Sequence, residues 1–156
     1  MKFIRLAPAI GVLLSSLVGV LIGTGGYTFY YAEGGSYLSN DPKACVNCHI
    51  MRGAYDDWQH SSHHAVATCN DCHVPHDLVG KYWTKLDNGY HHSRAFTFQD
   101  FREPIRIRPA NLNVLNRNCV QCHSELTALI RHADSASSEP THCVRCHDSV
   151  GHGPRR

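Results

Sequence analysis

From Leu6 to Ala32 the chain carries no Lys, Arg, Asp or Glu, and Leu, Val, Ile and Gly dominate the stretch. Wound as a helix these residues would extend about 40 Å at 1.5 Å per residue, more than the roughly 30 Å hydrocarbon layer of a bilayer. The stretch is too long for the apolar core of a cleavable leader. It closes on Tyr27, Phe29, Tyr30 and Tyr31, residues of the kind that settle at a membrane surface. The pattern therefore predicts a retained anchor helix that crosses a membrane once. Lys2 and Arg5 stand before it, and positive charge flanking a span stays in the cytoplasm. Everything after Glu33 is then expected on the periplasmic face of a cytoplasmic (inner) membrane.

Beyond Glu33 the pattern changes. Apolar residues at 78, 79, 82, 83 and 86 repeat with a helical period and predict a helix over Asp77 to Tyr90, with Asp77 as its N-cap. A second helical pattern runs from Asn111 to Arg131. Pro104, Pro109, Pro140 and the stretch Ser135 to Glu139 read as loops, and no segment reads as a strand. The expected fold is mainly α with extensive loops: an anchor at 1–33 followed by one small domain at 34–156.

Composition explains how such a domain could hold together. Hydrophobic residues make up 42% of the chain, but that figure includes the anchor and 8 Cys, so few aliphatic side chains remain for a core. The formal charge of +2 is spread along the chain, which argues against nucleic acid as a partner.

All the cysteines fall into four copies of one pattern: Cys45-Val-Asn-Cys48-His49, Cys69-Asn-Asp-Cys72-His73, Cys119-Val-Gln-Cys122-His123 and Cys143-Val-Arg-Cys146-His147. C-x-x-C-H is the attachment site of c-type haem: two thiols bond the porphyrin edge and the adjacent imidazole reaches the iron. Disulfides would not require the trailing His, zinc ribbons do not demand it after every second Cys, and a thioredoxin-like motif would occur once, in a βαβ setting. Four covalent haems would then form most of the interior, as a small chain with a thin core needs. Cys45 to Cys69 and Cys119 to Cys143 are each 24 residues apart, which predicts a duplicated two-haem unit, with haem pairs over 45–76 and 119–152.

Nine further histidines, 60, 63, 64, 76, 91, 92, 132, 142 and 152, outnumber the distal positions they could fill. His152 and either His63 or His64 are the best placed. At the first motif His49 is followed by Ile50 and Met51, and spacing alone leaves either His49 or Met51 as that haem's ligand.

The chain resembles the NapC/NirT family of membrane-anchored tetrahaem cytochromes, most closely its short NrfH-type branch. The resemblance is carried by the anchor, by the segment Tyr37-Leu-Ser-Asn-Asp-Pro-Lys-Ala leading into Cys45, by Met51, by Trp58-Gln-His60-Ser-Ser-His63, by Lys81-Tyr-Trp-Thr-Lys85 with Gly89-Tyr-His-His92-Ser, and by Cys146-His147-Asp-Ser-Val-Gly-His152-Gly. It implies menaquinol oxidation at the outer membrane surface and electron delivery to a periplasmic pentahaem cytochrome c nitrite reductase. It implies Met51 in place of His49 on the first haem and His73 on the second, whose distal ligand can be a lysine of the partner. It also implies His123 and His147 on the third and fourth, with His63 and His152 as distal ligands. For the quinol it implies Lys85 and, seven residues on, His92, where some relatives carry Asp; Asp87 is a second candidate base. Delivery to another reductase, such as a periplasmic nitrate reductase, fits the same residues, and a plain electron carrier without a quinol site fits the haem motifs alone.

Overall fold

The computed structural model describes residues 3–128 and 142–153. The chain divides into two compact units, Met1–Ser36 and Tyr37–Arg156.

In the first unit α1 runs over Phe3–Tyr31. Its only helix-breaking residue, Pro8, lies in the opening turns, where a missing N–H costs least. Pro8–Tyr31 is long and apolar enough to cross a membrane, with mean hydropathy 1.9, and none of it is buried. Thr24 does not interrupt it, because its hydroxyl donates to the Val20 carbonyl at 2.7 Å. The rings of Tyr27 and Tyr31 stack at 6.0 Å near its end.

The second unit is a set of short helices, and no strand occurs among the described residues. A 3-10 turn over Pro42–Asn47 starts at Asp41, whose carboxylate accepts from the Lys43 N–H at 2.8 Å. After a further turn at His49–Met51 come α2 (Arg52–Gln59), α3 (Cys69–His73), α4 (Leu78–Phe98) and α5 (Pro109–Cys122), and Cys143–Arg145 forms a last 3-10 turn. A capping box holds the start of α3: Thr68 and Asp71 exchange side-chain and backbone hydrogen bonds.

Asp77 caps α4 as expected, accepting from the Gly80 N–H at 2.7 Å. The helix continues eight residues past Tyr90, because the polar run after it contains no breaker. It ends at Gln99, which takes a left-handed conformation (φ 55°) and donates its N–H to the Ala95 carbonyl. The helix expected from Asn111 starts two residues earlier and stops at Cys122, so Pro109 is its first residue rather than part of a loop. The last part of that expectation, 129–131, and the loops at 135–140 lie outside the described residues.

Protein side chains alone supply almost no core. Val74 and Val114 are the buried hydrophobic residues among those described, and Lys85 and Asn118 are the buried polar ones. The junctions are polar instead. Asn118 donates to the carbonyls of Cys72 and Val74 at 3.0 and 2.8 Å, fastening α5 to the end of α3. Asn116 accepts from the Cys143 N–H at 2.9 Å, and Asn70 donates to the Ser39 carbonyl at 3.2 Å and to Asn40 at 3.0 Å.

Candidate functional site

The second C-x-x-C-H motif occupies α3, the third ends α5, and the fourth begins with the Cys143–Arg145 turn, while the first bridges two 3-10 turns, with Cys45 in Pro42–Asn47, Cys48 extended between them and His49 opening the next. Within one helical turn residues three and four apart come to one side, which in α3 brings two thiols and an imidazole toward the same space. Successive motifs adjoin. The first turn packs against α3, α3 against α5, and α5 against the Cys143–Arg145 turn. All eight thiols are unbridged. A side-chain hydrogen bond from Cys69, helped by the Lys85 ammonium and outweighing burial, brings the Cys45 thiol down to about 7, and the same bond pushes Cys69 up. Burial, and then Cys143 beside it, pushes Cys119 up to about 11.

The imidazoles pair across the motifs. His63 meets His123 with ring centroids 6.1 Å apart, and His73 meets His152 at 5.8 Å. Two imidazoles bound to one metal from opposite sides, each through a bond of about 2 Å, have ring centres roughly 6 Å apart. The Nδ1 of His152 lies 3.0 Å from the Ala54 carbonyl, and that of His63 lies 3.3 Å from the Val150 carbonyl. Such bonds fix the ring and leave Nε2 to face a metal. Burial, and then the neighbouring His152, pushes His73 down to about 4, which keeps it in the neutral form that ligates.

Two expectations change here. His152 stands against His73 rather than against the third or fourth motif, because the C-terminal turn folds back onto the carbonyl of Ala54 in α2. The chain's own imidazole thus stands beside His73, the residue expected on the second haem. His64, the alternative to His63, packs its ring edge-on against Trp58 at 4.8 Å. Among the described residues no other imidazole pairs with His147, and His132 lies outside them. His49 and Met51 share the short turn after Cys48, and Met51 is 38% exposed.

A second cluster lies along one side of α4, where Lys85, Gly89 and His92 follow at helical spacing. Lys85 is only 7% exposed, and its Nζ donates to the Ser39 carbonyl at 2.6 Å in the segment that leads into the first motif. Burial, then Lys81, lowers its pKa, and Cys45 pulls the other way. Desolvation, followed by Arg108 and His91, lowers that of His92. The Tyr37 hydroxyl sits 2.8 Å from His92 Nδ1, and its ring lies within 3.7 Å of where a Cβ on Gly89 would stand. Asp87 belongs elsewhere: its carboxylate pairs with Arg108 at 2.7 Å and with His91 at 3.5 Å. Sequence reasoning singled out Lys85, His92 and Asp87 but missed Tyr37 and Ser39, which lie 55 and 46 residues from their partners.

These donors fit covalent haem. The thiols are free, the ring pairs are spaced for a metal between them, and the described residues of the unit lack the apolar core that a protein of its size would need. His142, next to Cys143, adds a buried Nδ1 with no hydrogen-bond partner. A chain of this kind, carrying one membrane-length helix, is a membrane-anchored c-type cytochrome. It belongs to the NapC/NirT cytochrome c family, whose N-terminal-region model matches residues 7–155.

Among its relatives, the cytochrome c-type protein NrfH of Wolinella succinogenes is 39% identical over 154 residues, covering 91% of this chain and 86% of its own length. The cytochrome c nitrite reductase subunit NrfH of Nitratidesulfovibrio vulgaris is 32% identical over 122 residues, 78% of this chain and 72% of its own. Among solved structures, a chain of the cytochrome c nitrite reductase NrfHA complex bound to the HQNO inhibitor superposes with a TM-score of 0.63 at 27% identity, over 90% of this chain and 92% of that one.

Proposed function

We propose that this cytochrome oxidises menaquinol at the outer surface of the cytoplasmic membrane and passes the electrons through four haems to a periplasmic pentahaem cytochrome c nitrite reductase. The observation that carries the reading is the position of Lys85: a buried ammonium set against the segment of the first motif, with His92 seven residues on along the same helix. Burial of a cation is costly unless it serves a partner or a reaction. Resemblance to subunits named for nitrite reductase supports the electron acceptor.

In this reading residues 1–33 are the anchor, with the N-terminus in the cytoplasm, and 34–156 the periplasmic haem domain. Its haem pairs are 45–76 and 119–152, held by the eight cysteines. When bound, the haems take electrons singly and hand them on. Quinol oxidation also releases two protons, which must reach a base. Lys85 hydrogen-bonds a quinol oxygen through Nζ, and His92, with its pKa lowered, stays neutral near pH 7 and accepts a proton at Nε2. Met51, rather than His49, would hold the first haem, which would take the electrons of the quinol. His73 with His152 and His63 with His123 serve the second and third haems, and His147 serves the fourth.

The test is substitution in the haem-loaded protein. Met51→Leu and Lys85→Leu are expected to cut menaquinol oxidation by at least about tenfold with four haems still attached. Unchanged turnover in both variants would reject the quinol site and leave a plain electron carrier.

A further inference from the structure

The hydrogen bond between Tyr37 and His92 has a use that follows from the chemistry at His92. We infer that Tyr37 is the proton exit of the quinol site, taking the proton from His92 Nδ1 and releasing its own hydroxyl proton to water. This rests on the quinol-oxidising reading above.

The geometry constrains the tautomer. Among the described residues His92 Nε2 has no hydrogen-bond partner, while Nδ1 lies 2.8 Å from the phenolic oxygen. For Nε2 to act as a base it must be free of hydrogen, so Nδ1 carries the proton and donates it to the Tyr37 oxygen. When a quinol hydroxyl gives its proton to Nε2 and an electron goes to ferric haem, the ring becomes an imidazolium with protons on both nitrogens. Transfer of the Nδ1 proton to the phenol oxygen, with departure of the phenol's own proton to water, leaves His92 neutral with its hydrogen on Nε2. One such turn carries one proton and one electron of the quinol; the neutral semiquinone left behind is acidic and gives its proton to water and its electron to ferric haem, and exchange of the Nε2 hydrogen with water after the quinone leaves restores the starting tautomer. Tyr37 is 39% exposed, so water reaches it. Burial holds its hydroxyl above the ordinary phenol value, so it keeps its proton between turnovers.

The charges around His92 favour release. Arg108, from the segment before α5, and His91, from α4 itself, both act on it, and Asp87 pairs with those two rather than with His92. The imidazolium therefore faces cations and is pressed to give up its proton. Tyr37 lies across Gly89, between Lys85 and His92, which keeps the phenol in place through the cycle.

The test uses the full-length, haem-loaded chain in detergent with dimethylnaphthoquinol as donor. Tyr37→Phe keeps the ring and removes the relay oxygen. It is expected to slow quinol-driven haem reduction by about tenfold with little change in KM, to leave reduction by dithionite unchanged, and to recover with rising imidazole buffer, which can take the Nδ1 proton in place of the phenol. Tyr37→His, which restores an exchangeable proton, is expected to retain most of the rate. Independently of turnover, the infrared C–O band of Tyr37 in the wild-type protein is expected to shift as pH crosses the titration of His92. A wild-type rate in Tyr37→Phe overturns the relay, as does a loss that no buffer concentration relieves while dithionite reduction stays normal. A wild-type protein that does not oxidise the quinol at all overturns the quinol reading instead.

Discussion

Arg108 acts on His92, and Asp87 is paired with Arg108, so the two together make the role of His92 measurable. A base must be neutral to accept a proton, so turnover falls as pH drops through the His92 pKa, which sits below the ordinary value of about 6.5. Arg108→Ala removes a cation beside the ring and frees the Asp87 carboxylate, so His92 holds its proton more tightly and the acid limb of the pH–rate profile moves to higher pH. Asp87→Asn leaves Arg108 uncompensated and moves the limb to lower pH. Each variant also loses a half-exposed ion pair worth about 0.5 to 1 kcal/mol, so the two share a small loss of stability and differ in the direction of the pH shift. Movement of both limbs in the same direction would exclude His92 as the base. At this scale the sequence offered Asp87 as a second candidate base beside His92. Their separation depends on Arg108, which is 21 residues from Asp87 and belongs to a segment with no pattern of its own.

Helical turns bring the cysteines together, but asparagines hold the turns to one another. Asn70, Asn118 and Asn116 join the first motif's segment to the second motif, the second to the third, and the third to the fourth. Asn118 is the buried member, and its amide serves two carbonyls at the end of α3. Asn118→Ala is expected to strand both carbonyls, lowering stability by about 1 to 3 kcal/mol, read as a fall in the apparent Tm of the haem-loaded protein. Asn111→Ala, in the first turn of the same helix and only partly buried, breaks a single side-chain bond to Asn88 and is expected to cost less. An equal loss in both variants would mean that Asn118 is not a junction. None of this could be read beforehand, because an asparagine beside a C-x-x-C-H motif looks like any polar filler residue. The motifs themselves were fully legible, since their chemistry is local, and so was the start of α4, since a cap lies next to the helix it starts. The end of α4 was not, because apolar periodicity fades at Tyr90 while the helix continues through polar residues that disfavour no turn.

At the scale of the whole molecule, the order of the motifs in space follows their order in the chain, first against second, second against third, third against fourth. A relay laid out this way takes electrons in at one end of the series and delivers them at the other, and its two ends differ in ligation. In the proposed assignment the second and third haems have two imidazoles each, from His73 with His152 and His63 with His123. The first, on Met51, would be left open for the quinol. An open iron is high-spin and a doubly ligated one low-spin, so the subunit alone is expected to show a high-spin first haem and low-spin second and third haems by electron paramagnetic resonance. The high-spin signal is expected to respond to a quinol analogue. His152→Ala, with the reductase absent, is expected to add a further high-spin haem, and His64→Ala to add none. Four low-spin haems in the isolated subunit would reject this assignment, and a low-spin second haem in His152→Ala would return its distal position to another ligand.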